Sequence, residues 1–256
     1  MKKKIKKYLE QIEEEKEIKI LLACETGSRA WGFPSPDSDY DIRIIYVHRN
    51  NWYLSVNEQK DTIDIMLENN DLDISGWELK KSLRLLKKSN PPLLERIQSP
   101  IIYKVDNEFA KDFAQTAKNC YSKIATIHHY LSMAKKIKKE IEYEKDFKLK
   151  KFFYALRTAT VCKWIVEKEE IPPIEFQKVY SNLNLNKKIV ARIEELIEMK
   201  STKSESYFHT AEHDLISFID NCLIMAEEKK ETLSAGNCRI DNLNLILRKY
   251  VNKYDN

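Results

Sequence analysis

The distribution of strand-like and helix-like patterns constrains the fold of this 256-residue chain more than any other feature. Short apolar runs rich in β-branched residues lie before about residue 105, and apolar side chains recur with helical spacing through the rest of the chain. The sequence therefore predicts an α+β fold. A small mixed β-sheet domain with flanking helices is expected over residues 1–105, followed by an all-helical domain over residues 106–256.

The individual elements follow from the same periodicities. In chain order, the first domain is expected to contain a helix over 2–15, strands over 17–24, 40–47 and 62–67, a short strand over 72–75 and a helix over 77–88. In the second domain, helices are expected near 107–120, 121–144, 146–168, 186–199, 207–230 and 240–253, and no strand is expected.

Composition excludes several classes of protein. A third of the residues are charged, but the net charge is only +4, which by itself does not indicate nucleic-acid binding. The five cysteines are far apart and form no CxxC pair, which argues against a zinc ribbon or a thioredoxin-like site. Scattered free cysteines predict a reducing, cytoplasmic location. No apolar stretch is long enough to span a bilayer, so no membrane partner is expected.

The residues most suited to chemistry are a Gly27-Ser28 turn and the pair Asp39 and Asp41. The turn can offer backbone N–H groups to phosphate oxygens. The two aspartates are two residues apart on a predicted strand, so their side chains leave the same face and can hold Mg²⁺. The pair alone would fit an ordinary turn equally well, since aspartate favours turns. With the glycine–serine turn upstream, the metal interpretation is favoured.

A third carboxylate would help to hold a catalytic metal and could accept the proton of an attacking hydroxyl. The candidates are Asp64, Asp71 and Asp73. Asp64 lies on the better-formed predicted strand, whereas Asp73 lies just before a predicted helix.

The run GSRAWGFPSPDSDYDIRIIYV, residues 27–47, resembles the signature of the DNA polymerase β superfamily of nucleotidyltransferases. Residues 73–81, 88–95 and 151–157 are similar, in the same order, to later blocks of one branch. This branch comprises predicted bacterial and phage nucleotidyltransferases and includes RNA-repair-associated polymerase-β-like proteins. The resemblance covers most of the chain up to about Pro173 and weakens beyond it.

The resemblance implies an enzyme that transfers a nucleoside monophosphate from an NTP such as ATP to a hydroxyl, with Mg²⁺ or Mn²⁺ and release of pyrophosphate. It favours Asp73 over Asp64 as the third carboxylate. The implied catalytic and metal-binding residues are Asp39, Asp41 and Asp73. The implied nucleotide-binding residues are Gly27, Ser28 and Arg29, with Lys151 and Arg157 from a helical lobe that closes the nucleotide cleft.

Ordinary structural roles compete with three of these assignments. Arg29 fits a surface ion pair as well as it fits a phosphate contact. Lys151 fits a solvated or intrahelical pair better than a triphosphate contact. Arg157 lies in an apolar helical segment, which favours a buried, paired side chain.

The acceptor implied by the resemblance is an RNA or tRNA end. Three alternatives stay open: a protein hydroxyl, as in a toxin–antitoxin system; a small molecule such as an antibiotic; or an inactive module that binds nucleotide or RNA. The intact glycine–serine turn and aspartate pair argue against the inactive module. An RNA acceptor predicts a basic surface, and a small-molecule acceptor predicts an enclosed acidic pocket.

Overall fold

Five strands form a mixed sheet in the computed structural model, which describes residues 1–142, 146–210 and 212–255. They are β1 (Ile18–Glu25), β2 (Tyr40–His48), β3 (Thr62–Leu67), β4 (Leu72–Glu78) and β5 (Ile102–Val105). The order across the sheet is β3-β4-β2-β1-β5. Strands β2 and β4 are parallel, and the other neighbours are antiparallel. The predicted small mixed sheet with flanking helices is therefore confirmed.

One face of this sheet is covered by helix α1 (Lys2–Lys16). Its buried side chains Ile5, Leu9 and Ile12 pack in one apolar cluster with residues of β1, β2, β3 and β4. Within β2, the cluster takes Ile42, Ile44 and Tyr46. Because successive strand residues point to opposite faces, Asp41 and Arg43 lie on the other face of the sheet.

Five further helices belong to the part of the chain that carries the sheet. They are α3 (Asn50–Tyr53), α4 (Leu79–Lys87), α5 (Pro91–Arg96), α6 (Asn107–Cys120) and α12 (Ile240–Lys253). A short helix α2 (Gly27–Trp31) follows β1. Helix α4 starts at Leu79 because the side chain of Glu78 accepts the backbone N–H of Lys81 as an N-cap. The predicted helix over 77–88 is thus shorter, and β4 extends through Trp77 and Glu78.

The other helices surround α8 (Leu149–Lys168), which is buried on most of its surface. They are α7 (Lys123–Glu142), α9 (Phe176–Ser181), α10 (Lys187–Thr202) and α11 (His213–Lys229). Two short strands, β6 (Asp146–Lys148) and β7 (Phe208–Thr210), form a separate antiparallel pair. The expectation of no strand beyond about residue 106 is therefore wrong. The predicted helices near 121–144 and 207–230 partly fall on residues 143, 144 and 211, which lie outside the described residues.

The described chain divides into two compact units that do not follow the order of the sequence. The sheet unit comprises Met1–Gly27, Asp39–Tyr121 and Gly236–Asn256, and the helical unit comprises Ser28–Ser38 and Ser122–Ala235. Helix α6 belongs to the sheet unit because it packs on β1, α4 and α12. It stays a prediction that residues 1–105 and residues 106–256 are separate domains.

The cysteines differ from the expectation of five free thiols. Cys120 at the end of α6 and Cys238 before α12 form a disulfide, although 118 residues separate them in sequence. Cys24, Cys162 and Cys222 are free and buried. Pairing across such a separation cannot be deduced from cysteine spacing. Within the described residues, no helix has the length and apolar character needed to cross a bilayer.

Asp106 joins α6 to the last helix and is expected to make stability depend on pH. It caps α6 by accepting the N–H of Phe109 at 2.9 Å, and it also accepts hydrogen bonds from Lys253 and Tyr254. Burial acts to raise its pKa, but the hydrogen bonds hold it at about 2, below the ordinary 3.8. Because the pKa of Asp106 is lower in the folded state than in the unfolded state, the charged carboxylate stabilises the fold above pH 3.8. This stabilisation is lost as the pH falls through about 2.

The Asp106→Asn variant tests this link, since it keeps an oxygen for the helix cap but removes the charge. We expect urea unfolding to show a lower free energy of unfolding than wild type at neutral pH and a smaller loss on acidification below pH 3.8. Asp64→Asn, at an exposed aspartate, is the control. Identical acid dependence in wild type and Asp106→Asn would contradict the expectation.

Candidate active site

Two carboxylates on neighbouring parallel strands converge on one guanidinium. The strand register places Asp41 of β2 directly opposite Asp73 of β4. Nη2 of Arg43 lies 2.8 Å from Oδ1 of Asp41 and 2.9 Å from Oδ2 of Asp73. Nη1 of the same side chain donates to the backbone oxygens of Ile42 and Asp73. The sheet therefore holds a pair of carboxylates close enough to share a single cation.

Asp39 and Asp64 are placed differently. Asp39 lies directly before the first residue of β2 and is exposed. Asp64 of β3 pairs with Ser75 in the strand register, and its exposed side chain lies 3.9 Å from Nζ of Lys60. Strand β4 separates β3 from β2, so Asp73 is the closer of the two candidates to Asp41. In the part of the chain that the structure describes, no group of three or more histidine, cysteine or acidic side chains is arranged to hold a metal.

The two convergent carboxylates nevertheless fit a divalent cation by their chemistry. Carboxylate oxygens are the donors that Mg²⁺ prefers, and this ion commonly takes one or two of them together with substrate phosphates. The side chain of Arg43 already shows that a positive charge is stable between Asp41 and Asp73. The roles of Asp39, Asp41 and Asp73 as metal ligands stay predictions.

Gly27 is required by its contact with Asp41. Its φ is +65°, and a Cβ atom at this position would lie 2.1 Å from Oδ2 of Asp41. The preceding residue, Thr26, donates its backbone N–H to the carbonyl oxygen of Asp41 at 2.9 Å. A larger residue would therefore be strained in this left-handed conformation and would displace the side chain of Asp41. The glycine allows the turn after β1 to approach the carboxylate of β2 closely.

In the helical unit, Ser28 and Arg29 are both attached to Ser38. The hydroxyl of Ser28 donates to Oγ of Ser38 at 3.0 Å, and Oγ of Ser38 donates to Glu205 at 2.9 Å. Nη2 of Arg29 donates to the carbonyl oxygen of Ser38 at 2.7 Å. These bonds hold the segment that leads into Asp39. The predicted contacts of Ser28 and Arg29 with phosphate stay predictions.

Lys151 and Arg157 both lie on α8 but in different surroundings. Nζ of Lys151 lies 3.3 Å from Glu140 in a half-exposed ion pair. Arg157 is buried, and its guanidinium lies 4.3 Å from the centre of the Trp31 ring. This burial agrees with the packing role considered for Arg157 from the sequence. Nucleotide binding by either side chain stays a prediction.

Arg43 is the residue that the sequence interpretation missed. It lies two positions after Asp41 on the same strand, so the period of the strand places both side chains on one face. This signal was available in the run Asp41-Ile42-Arg43. The contact with Asp73 was not, because it depends on the parallel pairing of β2 with β4.

The fold is a mixed sheet that presents two carboxylates from adjacent strands, with Gly27 of the turn after β1 against one of them. The family model described as the RNA repair pathway DNA polymerase beta family (RlaP) matches residues 1–249. The chain belongs to this family, as the sequence resemblance predicted.

The chain is similar to individual proteins to different extents. The chain is 42% identical over 205 residues to the uncharacterized protein YcgL of Bacillus subtilis, a match that covers 80% of this chain and 78% of the relative. It is 24% identical over 123 residues to the tRNA (34-2'-O)-methyltransferase regulator WDR6 of Drosophila melanogaster, which covers 47% of this chain and 12% of that protein. A crystal structure of a nucleotidyltransferase-like protein from Exiguobacterium sibiricum 255-15 aligns with 14% identity and a TM-score of 0.33, covering 98% of this chain and 81% of that one.

Proposed function

We propose that this protein is a Mg²⁺- or Mn²⁺-dependent enzyme that transfers a nucleoside monophosphate from an NTP to a hydroxyl at the end of an RNA or tRNA. The observation that carries the proposal is the convergence of Asp41 and Asp73 on one cation, beside the close approach of Gly27. The family description supports an RNA acceptor. We propose the cytoplasm as the location because NTPs are available there. The Cys120–Cys238 disulfide does not support this location, because cytosolic thiols are kept reduced.

The proposed reaction is an in-line transfer. The acceptor oxygen forms a bond to the α-phosphorus of the NTP while the bond from that phosphorus to the pyrophosphate oxygen breaks. The proton of the acceptor hydroxyl passes to a carboxylate, and Asp73 is the proposed base. Asp39, Asp41 and Asp73 would hold the divalent cation, which supplies charge stabilisation to the nucleophile and the leaving pyrophosphate. Ser28 and Arg29 are proposed to bind the triphosphate, with Lys151 and Arg157 as secondary contacts.

The test is incubation of the protein with each of the four NTPs, labelled in the α-phosphate, in the presence of Mg²⁺ or Mn²⁺. Total RNA, total protein or neither is added as acceptor. We expect label in RNA, no transfer from NTP labelled in the γ-phosphate, and no transfer after chelation of the metal. Label in protein or in a small molecule would show that the acceptor is one of the alternatives and not RNA. No transfer to any acceptor would contradict the proposal that the protein is a nucleotidyltransferase.

Arg43 provides a test of the metal site that does not require turnover. Without its guanidinium, Asp41 and Asp73 face each other and repel, which a bound divalent cation would relieve. We expect Arg43→Gln to lower stability by about 1.5–3 kcal/mol without metal, the range for a lost hydrogen bond to a charged group. Added Mg²⁺ should raise its melting temperature more than that of wild type.

The control for this measurement is Lys60→Gln, which removes the exposed partner of Asp64. Added Mg²⁺ should raise the melting temperature of this variant by the same amount as that of wild type. Equal Mg²⁺ shifts in Arg43→Gln and Lys60→Gln would show that Asp41 and Asp73 do not form a cation site.

A further inference from the structure

Helix α4 carries a stripe of exposed cations on one face. Lys80, Arg84 and Lys87 of the helix and Lys88 at its C-cap are spaced i, i+4, i+7 and i+8, which places them side by side. All four are exposed, and α4 contains no acidic residue. The opposite face is buried through Leu79, Leu83 and Leu86.

The four cations of this basic stripe are unpaired within the described part of the chain. Among the residues that the structure describes, no carboxylate forms an ion pair with any of its four cations. Like charges at these helical spacings destabilise a helix by about 0.2–0.5 kcal/mol per pair. Some other lysines of the sheet unit are paired, as Lys249 is with Asp112 and Lys253 with Glu108. The stripe instead presents four neighbouring cations, without an ion-pair partner among the described residues, to an anion from outside.

A pocket opens at the first turn of α4, where the basic stripe begins. Its volume is about 190 Å³, and its lining includes the rings of Trp52 and Tyr53. Three cations and three carboxylates also line it: Lys80, Lys81, Arg84, Glu58, Asp61 and Glu78. Since Lys81 is paired with Asp61 at 2.7 Å, the pocket combines aromatic rings with polar groups of both charges, and its net charge is close to zero. Its other wall is the exposed loop after α3. Residues 55–59 of this loop line the pocket, and the side chain of Val56 is fully exposed.

We propose that the basic stripe and this aromatic pocket bind single-stranded RNA, and, resting on the proposed function, that this is the strand that carries the acceptor hydroxyl. Phosphates lie along Lys80, Arg84, Lys87 and Lys88, and one base enters the pocket beside Trp52. A positively charged track with aromatic rings for unpaired bases is the arrangement that single-stranded nucleic acid requires. The stripe is about 12 Å long at 1.5 Å per residue, enough for about three phosphates.

The aromatic pocket is the reason to prefer RNA over an acidic protein or an anionic lipid surface. Charges alone would satisfy either of those partners. A flat lipid surface would leave the pocket empty, whereas an unpaired base has a ring to stack and an adjacent phosphate for Arg84. The stripe and the pocket both lie in the sheet unit, which also carries Asp41 and Asp73.

The test measures binding of a fluorescently labelled single-stranded RNA by anisotropy over a series of salt concentrations. The proteins carry Asp41→Asn so that no transfer occurs. The stripe variant has Lys80→Gln, Arg84→Gln, Lys87→Gln and Lys88→Gln. The matched control has Lys136→Gln, Lys139→Gln, Lys187→Gln and Lys188→Gln, four exposed lysines of the helical unit that also lack ion-pair partners among the described residues.

We expect the stripe variant to bind RNA at least about tenfold more weakly, with a salt slope reduced by about 2–3, since each phosphate contact on a single strand contributes about 0.7. The control should bind as the parent does. Trp52→Leu in a second variant should weaken binding without changing the salt slope, because stacking releases no counterions. Thermal unfolding of the stripe variant should show equal or higher stability, because like-charge repulsion is removed.

Equal losses in the stripe and control variants, no loss in the stripe variant, or no RNA binding by the parent would each overturn the proposal. So would loss of binding to anionic phospholipid vesicles in the stripe variant with RNA binding unchanged. Failure of the two proposals can be distinguished. The four stripe substitutions are also made in the protein that keeps Asp41, and transfer to RNA by this variant with an unchanged KM would refute the surface alone. Stripe-dependent RNA binding without transfer to RNA would refute the acceptor alone.

Discussion

Replacement of Asp73 by asparagine is expected to reduce nucleotide transfer by about a thousandfold or more, while Asp64→Asn retains activity. Asp73 lies opposite Asp41 in the parallel register and shares Arg43 with it, whereas Asp64 is separated from Asp41 by the whole width of β4. Loss of a carboxylate that holds a catalytic metal removes several kcal/mol of transition-state stabilisation, and each 1.36 kcal/mol is a factor of ten in rate. Asp41→Asn should be equally inactive.

The measurement is the rate of transfer from α-labelled NTP under single-turnover conditions, with circular dichroism to establish that each variant is folded. The pairing of Asp64 with Lys60 is exposed and long, so Asp64→Asn should leave stability nearly unchanged and serves as the matched control. An active Asp73→Asn variant together with an inactive Asp64→Asn variant would assign the third carboxylate to β3. Full activity of the Asp41→Asn, Asp73→Asn double variant would refute the proposed enzyme.

The second large effect is expected at Gly27. In Gly27→Ala, the new Cβ would lie 2.1 Å from Oδ2 of Asp41 and the residue would keep a φ of +65°, so Asp41 has to move. Backbone strain of this kind costs about 1–3 kcal/mol, and displacement of Asp41 should in addition lower Mg²⁺-dependent NTP affinity and transfer. Calorimetry with a non-hydrolysable NTP and chemical unfolding measure the two effects separately.

Gly32→Ala is the matched control, because Gly32 has a φ of +91° but a Cβ there would meet nothing within 4 Å. It should share the cost of the left-handed conformation without the collision. A loss of NTP affinity confined to Gly27→Ala would therefore be due to Asp41. Equal effects on NTP binding in the two variants would attribute them to strain in the segment and contradict a specific role for the approach of Gly27 to Asp41.

Local patterns were sufficient for much of the fold and for half of the candidate site. The strand over 62–67 and the helices over 107–120 and 240–253 were predicted with the bounds that the structure has. The glycine–serine turn and the aspartate pair were recognisable because the groups proposed to bind phosphate and metal lie close together in the chain. In each case, the information needed lies within one short segment, where side-chain spacing reports directly on local structure.

The family resemblance favoured Asp73 over Asp64 as the third carboxylate, a choice that periodicity alone could not make. The position of Asp73 beside Asp41 depends on β4 pairing in parallel with β2, and the register decides which residues face each other across the strands. Strand β5, with only four residues, was missed for a similar reason, since such a short run is stabilised as an edge strand by β1 rather than by its own pattern.

The sequence by itself determined the kind of protein: a mixed sheet followed by helices, with a turn that we propose binds phosphate and carboxylates that we propose hold a metal. Only the tertiary structure decided that Arg43 joins Asp41 to Asp73, that Cys120 pairs with Cys238, and that residues 236–256 return to the sheet unit. These features depend on contacts between segments far apart in the chain. Side-chain periodicity encodes which face of an element is buried, but the partner that covers it is selected by packing of the whole chain.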